Sequence, residues 1–265
     1  MWGKTVLVLR ISAAVWAGLI GMGVILQIAE IVPALPKLEP WAWGVSLAII
    51  AVDNVGTLFV RKKRTERERR ARKIESVLQT ALRQLVSTRE LRLEDLGANV
   101  YLAANWKRMR PEREKNVVLE RVGRYRPIDY PQQSGVHWTD KKGVVGECWR
   151  RRGSTSKNWY AVAQRYGGVE LTEQAFFKIP ADTRCGFTHR EFVTIVGKYS
   201  EVVAEPIWHP TKDGVLIGVL TIDRAYQSEG DTFRELLSKR STHQTAGLAS
   251  LALAAILKTQ AEEAE

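Results

Sequence analysis

Two apolar runs near the N-terminus constrain this chain more than any other feature. Ile11 to Val32 is 22 residues long, and its only strongly polar members, Gln27 and Glu30, lie at its far end. Trp41 to Val60 is a second run, of 20 residues, interrupted only by Ser46, Asp53, Asn54 and Thr57. At about 1.5 Å per helical residue, twenty residues cover about 30 Å, the hydrocarbon thickness of a bilayer. Between the runs lies Pro33-Ala-Leu-Pro-Lys-Leu-Glu-Pro40, whose prolines mark a tight turn rather than a helix. The pattern predicts a two-helix transmembrane hairpin over residues 1–60, with Trp41 and Trp43 in the interfacial belt.

Charge sets the expected orientation. Lys4 and Arg10 precede the first run, Arg61-Lys-Lys-Arg64 follows the second, and the connecting turn holds only Lys37 balanced by Glu39. The positive-inside rule then makes this a multi-pass inner-membrane protein with both termini in the cytoplasm. A cleaved signal peptide over 1–32 is the rival, although its apolar region is normally shorter than this. Of the formal net charge of +11, residues 61–73 supply +7, from nine basic and two acidic side chains. The basic character is therefore local, and its expected partner is anionic lipid headgroups, not nucleic acid.

Within the hairpin, small residues recur every four positions at Ala13, Ala17 and Gly21 and again at Gly44 and Ala48, a spacing that permits close helix contact. Asp53 would lie about 18 Å from the outer end of the second helix. An ionised carboxylate there costs on the order of 3 kcal/mol or more. With Asn54 beside it, and Ser46 and Thr57 on one face with it, Asp53 either lines an oligomeric path or reaches back toward Arg10 and interfacial water.

A connecting helix is expected over 61–94. Ile74, Leu78, Ala81 and Leu85 step by four, three and four, an a/d seam that predicts a homodimer or higher homo-oligomer. Beyond residue 95 short apolar segments alternate with turns, which indicates an α+β domain over 95–265. Val100–Trp106, Val117–Tyr125, Val202–Trp208 and Val215–Ile222 read as strands, the last two joined by the hairpin turn Thr211-Lys-Asp-Gly214. A short helix opens at Lys142-Gly-Val-Val-Gly-Glu-Cys-Trp149. Thr232 and Glu235 form an expected capping box for a last helix from about Phe233 to beyond Ile256.

The ordered set Lys142-Gly-Val-Val-Gly-Glu147, Val202-Val-Ala-Glu-Pro-Ile207 and Gly214-Val-Leu-Ile-Gly-Val-Leu-Thr-Ile-Asp223, between flanking helices, resembles a GAF domain over roughly residues 75–258. That resemblance implies a six-stranded antiparallel sheet with helices behind it, a small-ligand pocket and dimerisation through the terminal helices. The cyclic-nucleotide signature of the phosphodiesterase GAF domains is missing. The branch of free-methionine-sulfoxide reductases carries a cysteine where Val145 stands here.

Chemistry-bearing patterns are sparse. His137, His189, His209 and His243 are scattered, and Cys185 with His189 lacks the other half of a zinc pattern, so no metal is expected. No phosphate loop, dinucleotide fingerprint or nucleophile elbow occurs, which argues against an enzyme. In GAF-type domains the ligand lies near the segments after the glycine turn. The expected ligand-binding residues are accordingly Arg151, Arg152, Trp159, Tyr160, Arg184 and His189, with Lys157 among them. Their cations and aromatic faces suit an anionic nucleotide, a possible bound ligand.

The sequence thus supports a membrane-anchored ligand sensor whose hairpin is the effector, as in nucleotide-signalled antiphage defence. A membrane-tethered scaffold with a ligand-free GAF fold is the alternative, and a thiol-dependent reductase using Cys148 and Cys185 is the second alternative.

Overall fold

The computed structural model describes residues 16, 18, 39–87, 91–106, 116–227 and 235–262. Nearly all of the first apolar run, most of the proline-rich turn, the side chains of Asp53 and Asn54, and Thr232 of the expected capping box lie outside the described residues. Helix α1 runs without a break from Glu39 to Ser87. Pro40 therefore occupies a first helical turn, where the missing N–H costs no bond, and the expected turn ends earlier than Pro40. Among the described residues no helix is long and apolar enough to cross a membrane. The chain divides into two units, 1–69 and 70–265.

The second unit is built on one antiparallel sheet of strands β1 (Leu96–Ala103), β2 (Leu119–Tyr125), β3 (Thr155–Asn158), β4 (Tyr199–Trp208) and β5 (Leu216–Ala225), in the order β2-β1-β5-β4-β3. Among the described residues it has five strands, where the resemblance implied six. Helices α2 (Gly143–Arg151), α3 (Tyr160–Tyr166), α4 (Glu173–Lys178), α5 (Ala181–Arg184) and α6 (His189–Ile195) lie in sequence between β2 and β4, with β3 among them. Helix α7 (Arg240–Glu262) follows β5.

Strand pairing sorts the side chains into two faces, because residues directly opposite each other point the same way. Ala98 and Val203 both oppose Ile222, and Val100 and Glu205 both oppose Leu220. This face belongs to the helices. Ile74, Leu78, Leu82 and Leu85 of α1 and Leu253 and Leu257 of α7 are buried in the same core as Val100, Leu220 and Ile222. A methyl group added to Gly123 of β2 would overlap Ile74 Cγ2. The Ile74–Leu85 seam, expected to face a second copy, is thus corrected: it is used up on the chain's own sheet. Its spacing marks a buried face and carries no information about what buries it.

Helix α7 starts seven residues later than the sequence suggested. The Glu201 carboxylate accepts hydrogen bonds from the backbone N–H groups of Leu236 at 2.8 Å and Leu237 at 2.9 Å, while Leu237 is fully buried. That anchoring holds the approach to the helix in a non-helical path until Arg240. Farther on, His243 Nδ1 lies 2.6 Å from Glu205 and the Ser250 hydroxyl donates to the Pro206 carbonyl at 2.5 Å, fastening α7 along β4.

Candidate functional site

The opposite face of the sheet is not filled in the same way. Asn99 opposes Thr221, and Val202 opposes Asp223, which puts polar side chains from the two central strands on one floor. Over that floor stand Gly143, Val144 and Val145 of α2, Trp138 from the connection after β2, Trp159 just before α3, Phe187 and Ile195 around α6, and Tyr101 and Tyr199 from the strands. They line a half-open cavity of about 40 Å³. Since one water needs at least ~10 to 15 Å³ of such space, the cavity has room for about three.

Gly143 makes this enclosure possible. Its φ of +60° starts α2 in the left-handed region, its N–H donates to the Cys185 carbonyl at 2.8 Å, and a methyl group there would meet Phe187 at 2.9 Å and Trp138 at 3.1 Å. Only a residue without Cβ lets both rings close on the helix start. The ring centroids of Trp138 and Phe187 are 5.9 Å apart and nearly perpendicular, and Tyr101 lies 5.3 Å from Trp138. Burial pushes the Tyr101 hydroxyl well above its ordinary pKa and raises that of Tyr199, so both remain neutral hydroxyls at physiological pH.

Along the edge of the floor runs a buried polar line. Asn99 Nδ2 donates to Asp223 Oδ2 at 3.1 Å, and the Arg126 guanidinium pairs with Asp223 Oδ1. Both charged side chains are almost fully buried, at 3% and 4% exposure. Gly97 opens the route: a methyl group there would overlap the Arg126 guanidinium. Burial brings the Arg126 pKa down to about 10, which leaves the guanidinium charged at neutral pH. Arg126 also donates to the Tyr130 carbonyl at 3.2 Å, and Arg124 holds Asp129 at 2.8 Å and the Pro131 carbonyl at 2.9 Å. The connection that carries Trp138 into the cavity wall is thus strapped down by the residues ending β2.

Of the seven residues the sequence marked for ligand binding, Trp159 alone lines this cavity. Arg151 makes an exposed pair with Glu147 at 2.8 Å. Arg152, at φ +54°, ends α2, donates to the Gly214 carbonyl and stacks 5.3 Å from the Trp208 ring, tying α2 to the β4–β5 turn. Tyr160 packs against Tyr226 with ring centroids 5.8 Å apart. Arg184 lies over Phe176 and Phe177, and His189 Nε2 is 2.6 Å from the Leu171 carbonyl. Lys157 reaches Asp182 O at 2.6 Å and Cys185 Sγ at 2.8 Å, with its ammonium 5.1 Å from the Trp159 ring centre.

The floor residues Asn99, Thr221 and Asp223 carried a signal in the sequence that the basic loop overshadowed. Each is a polar residue inside a largely apolar segment, and Asn99 with Tyr101 and Thr221 with Asp223 are two apart, hence on one face. Both cysteines are free thiols. Cys148 is fully buried, and burial, aided by Glu205 and Glu147, pushes its thiol far up. Burial also raises Cys185, an effect that Lys157 opposes without cancelling. Among the described residues no group of three His, Cys, Asp or Glu side chains is placed to hold a metal ion.

No protein-family model matches the chain, and no curated protein matches it. Solved structures with some likeness include the blue-light absorbing form of the PixJ GAF domain of Thermosynechococcus elongatus, at 18% identity over 74% of this chain and 92% of that one, with a TM-score of 0.36. A GAF domain/HD domain protein from Geobacter sulfurreducens is 12% identical over 69% and 94% of the respective chains, with a TM-score of 0.39. The reduced form of fRMsr of Staphylococcus aureus is 14% identical over 67% and 93%, with a TM-score of 0.33. At these scores no residue or activity transfers from them. The GAF-like α+β layout stands on the antiparallel strand order and the helices themselves.

Proposed function

We propose that this chain is a membrane-tethered small-ligand sensor whose binding site is the aromatic cavity on the sheet face opposite α1 and α7. One observation carries the reading. The central strands β1 and β5 place Asn99, Thr221 and Asp223 side by side beneath an unfilled space walled by aromatic rings. A fold selected only for packing would fill that floor with aliphatic side chains, since buried polar groups and voids both cost stability. A concave site with mostly apolar walls and a few convergent polar groups is the usual form of a ligand pocket. At about 40 Å³ it is far below the ~300 Å³ and upward of drug-sized pockets. A nucleotide would require the strap over 126–139 and the α5–α6 segment to move apart.

The apolar runs at 11–32 and 41–60 support a tether, and the basic residues of 61–73 support contact with anionic lipid. Ligand occupancy is read out through the strap, whose Arg126 is bonded to the cavity floor and to Tyr130 on the surface. The hairpin, with Asp53 in its second helix, is the output, in an oligomer assembled through surfaces other than the Ile74–Leu85 seam.

The test is native mass spectrometry of the full chain purified from its source in non-ionic detergent, beside the cavity-filling variant Val202→Phe. A small-molecule adduct on the natural chain that is missing from the folded variant supports the reading. An adduct retained by Val202→Phe, or no adduct together with no thermal shift in any small-molecule fraction of the source cell, defeats it and leaves the scaffold reading in its place.

A further inference from the structure

We infer that the cavity's ligand is a small monocarboxylate, of acetate size, whose carboxylate turns toward strand β2; the inference rests on the cavity being the ligand site. Strand register supplies the charge. Arg121 lies opposite Tyr101 and Arg124 opposite Asn99, so both guanidinium side chains share the cavity face of the sheet with those residues. Three positions apart, they would ordinarily point to opposite faces. The register shift between Val100 and Tyr101 inserts an extra residue in β2 and turns both to the same side. At the other edge Lys157 lies opposite Val202 of the floor.

Cations outnumber carboxylates beside the two wall tyrosines. Asp223 is taken up by Arg126 and Asn99. Arg124 pairs with Asp129, an exposed strap residue, and donates to the Pro131 carbonyl. Lys198, next to Tyr199, donates to the Gln132 carbonyl at 3.3 Å. Arg121 stands against the Tyr101 hydroxyl, and among the described residues it has no carboxylate partner. Burial raises both tyrosine hydroxyls; Arg121 and Arg124 oppose it at each of them, and Arg126 opposes it at Tyr199. Arg121, Arg124, Arg126 and Lys198 are thus balanced only by Asp129 and Asp223.

A carboxylate entering beside the tyrosines meets this surplus together with two neutral hydroxyls able to donate. The guanidinium fork matches its two oxygens. A cation would meet like charge there, and a neutral amide of the same shape would forgo the charge-assisted bonds. The remaining wall decides among oxyanions. Trp138, Trp159, Phe187, Val144 and Val145 favour a ligand with an apolar end, which inorganic phosphate lacks. Space for about three waters admits roughly three to four heavy atoms without movement of the walls, as in acetate.

The experiment uses the full chain in non-ionic detergent, labelled with 5-fluorotryptophan. The Trp138 and Trp159 fluorine resonances are assigned with Trp138→Phe and Trp159→Phe. Acetate, acetamide, methylammonium and inorganic phosphate are titrated at constant ionic strength. The inference expects these two resonances to shift saturably with acetate, at least tenfold more tightly than with any of the other three. Arg121→Gln, which keeps an amide donor but removes the charge, should weaken acetate at least tenfold and leave acetamide unchanged. Where that variant fails to fold, the order of the four ligands on the natural chain decides the matter. Equal or tighter binding of acetamide, methylammonium or phosphate overturns the carboxylate inference while leaving the cavity as a ligand site, and so does undiminished acetate binding in folded Arg121→Gln. Silence with all four overturns it as well, and the mass-spectrometric comparison with Val202→Phe then decides the sensor reading separately.

Discussion

The two faces of one sheet are built from alternate residues of the same strands, yet they are finished in opposite ways. On the helix face Val100, Leu220 and Ile222 meet Leu78, Leu82 and Leu253 in a closed apolar core. On the cavity face, their strand neighbours Asn99, Thr221 and Asp223 meet aromatic rings that do not close. Period-two alternation lets a sheet carry a stabilising surface and a recognising surface without either residue set compromising the other. The polar positions on the helix face follow a different rule. Glu201 and Glu205 spend their oxygens on backbone N–H groups and on His243 and Ser154, so they fasten helices and leave nothing open.

The largest expected effect tests the buried ion pair. Arg126→Met removes the partner of an almost fully buried carboxylate and should cost about 3–5 kcal/mol in urea unfolding; a loss under about 1 kcal/mol would mean that the floor is wetter than the comparison requires. Next comes the helix face. Leu82→Ala should lose about 2–5 kcal/mol through transfer and cavity terms, while ligand affinity of the folded protein stays unchanged. A parallel loss of affinity would show that the two faces are not independent.

Gly143→Ala probes the join between α2 and the cavity wall. Strain at a positive φ and the approach of Phe187 and Trp138 should cost about 1–3 kcal/mol and weaken ligand binding as well, the mirror image of Leu82→Ala. A smaller effect concerns acid. Burial acts to raise the Glu191 pKa, but Lys142 at 2.6 Å and the Thr188 N–H and hydroxyl outweigh it, and the net shift is downward. A carboxylate held low when folded stabilises above its ordinary pKa of 4.5 and loses that contribution as pH falls through the folded value. Glu191→Gln should therefore flatten stability against pH below about 4.5 and leave the neutral-pH slope unchanged. Least of all, Arg151→Ala should stay within about 0.5 kcal/mol and leave ligand binding intact, as an exposed pair implies.

Four strands and the start of α2 were legible in the sequence, from short apolar segments between turns and from the glycine turn, although β1 lies at Leu96–Ala103 rather than Val100–Trp106 and the short helices α3 to α6 were not read. Strand β3 was not, since Thr155-Ser-Lys-Asn158 is a polar edge strand without an apolar pattern. The site was legible in kind but misplaced. Arg152, Arg184 and His189 are residue types that suit ligands, and three-dimensional contacts commit them to Trp208, Phe176 and Leu171 instead. Arg126 could not have been found by spacing, since its partner Asp223 is 97 residues away and the lane between them is an absent side chain at Gly97.

The central claim, that one face of the sheet senses and the other holds, is tested most directly by hydrogen exchange with mass spectrometry. The full chain would be measured with and without a deproteinised small-molecule extract of its source cell. The account predicts new protection over 136–145, 187–202 and the β1 and β5 amides beneath the cavity, with 74–85 and 243–257 unchanged. Protection confined to those two helical segments, or no change anywhere in the second unit, would contradict it.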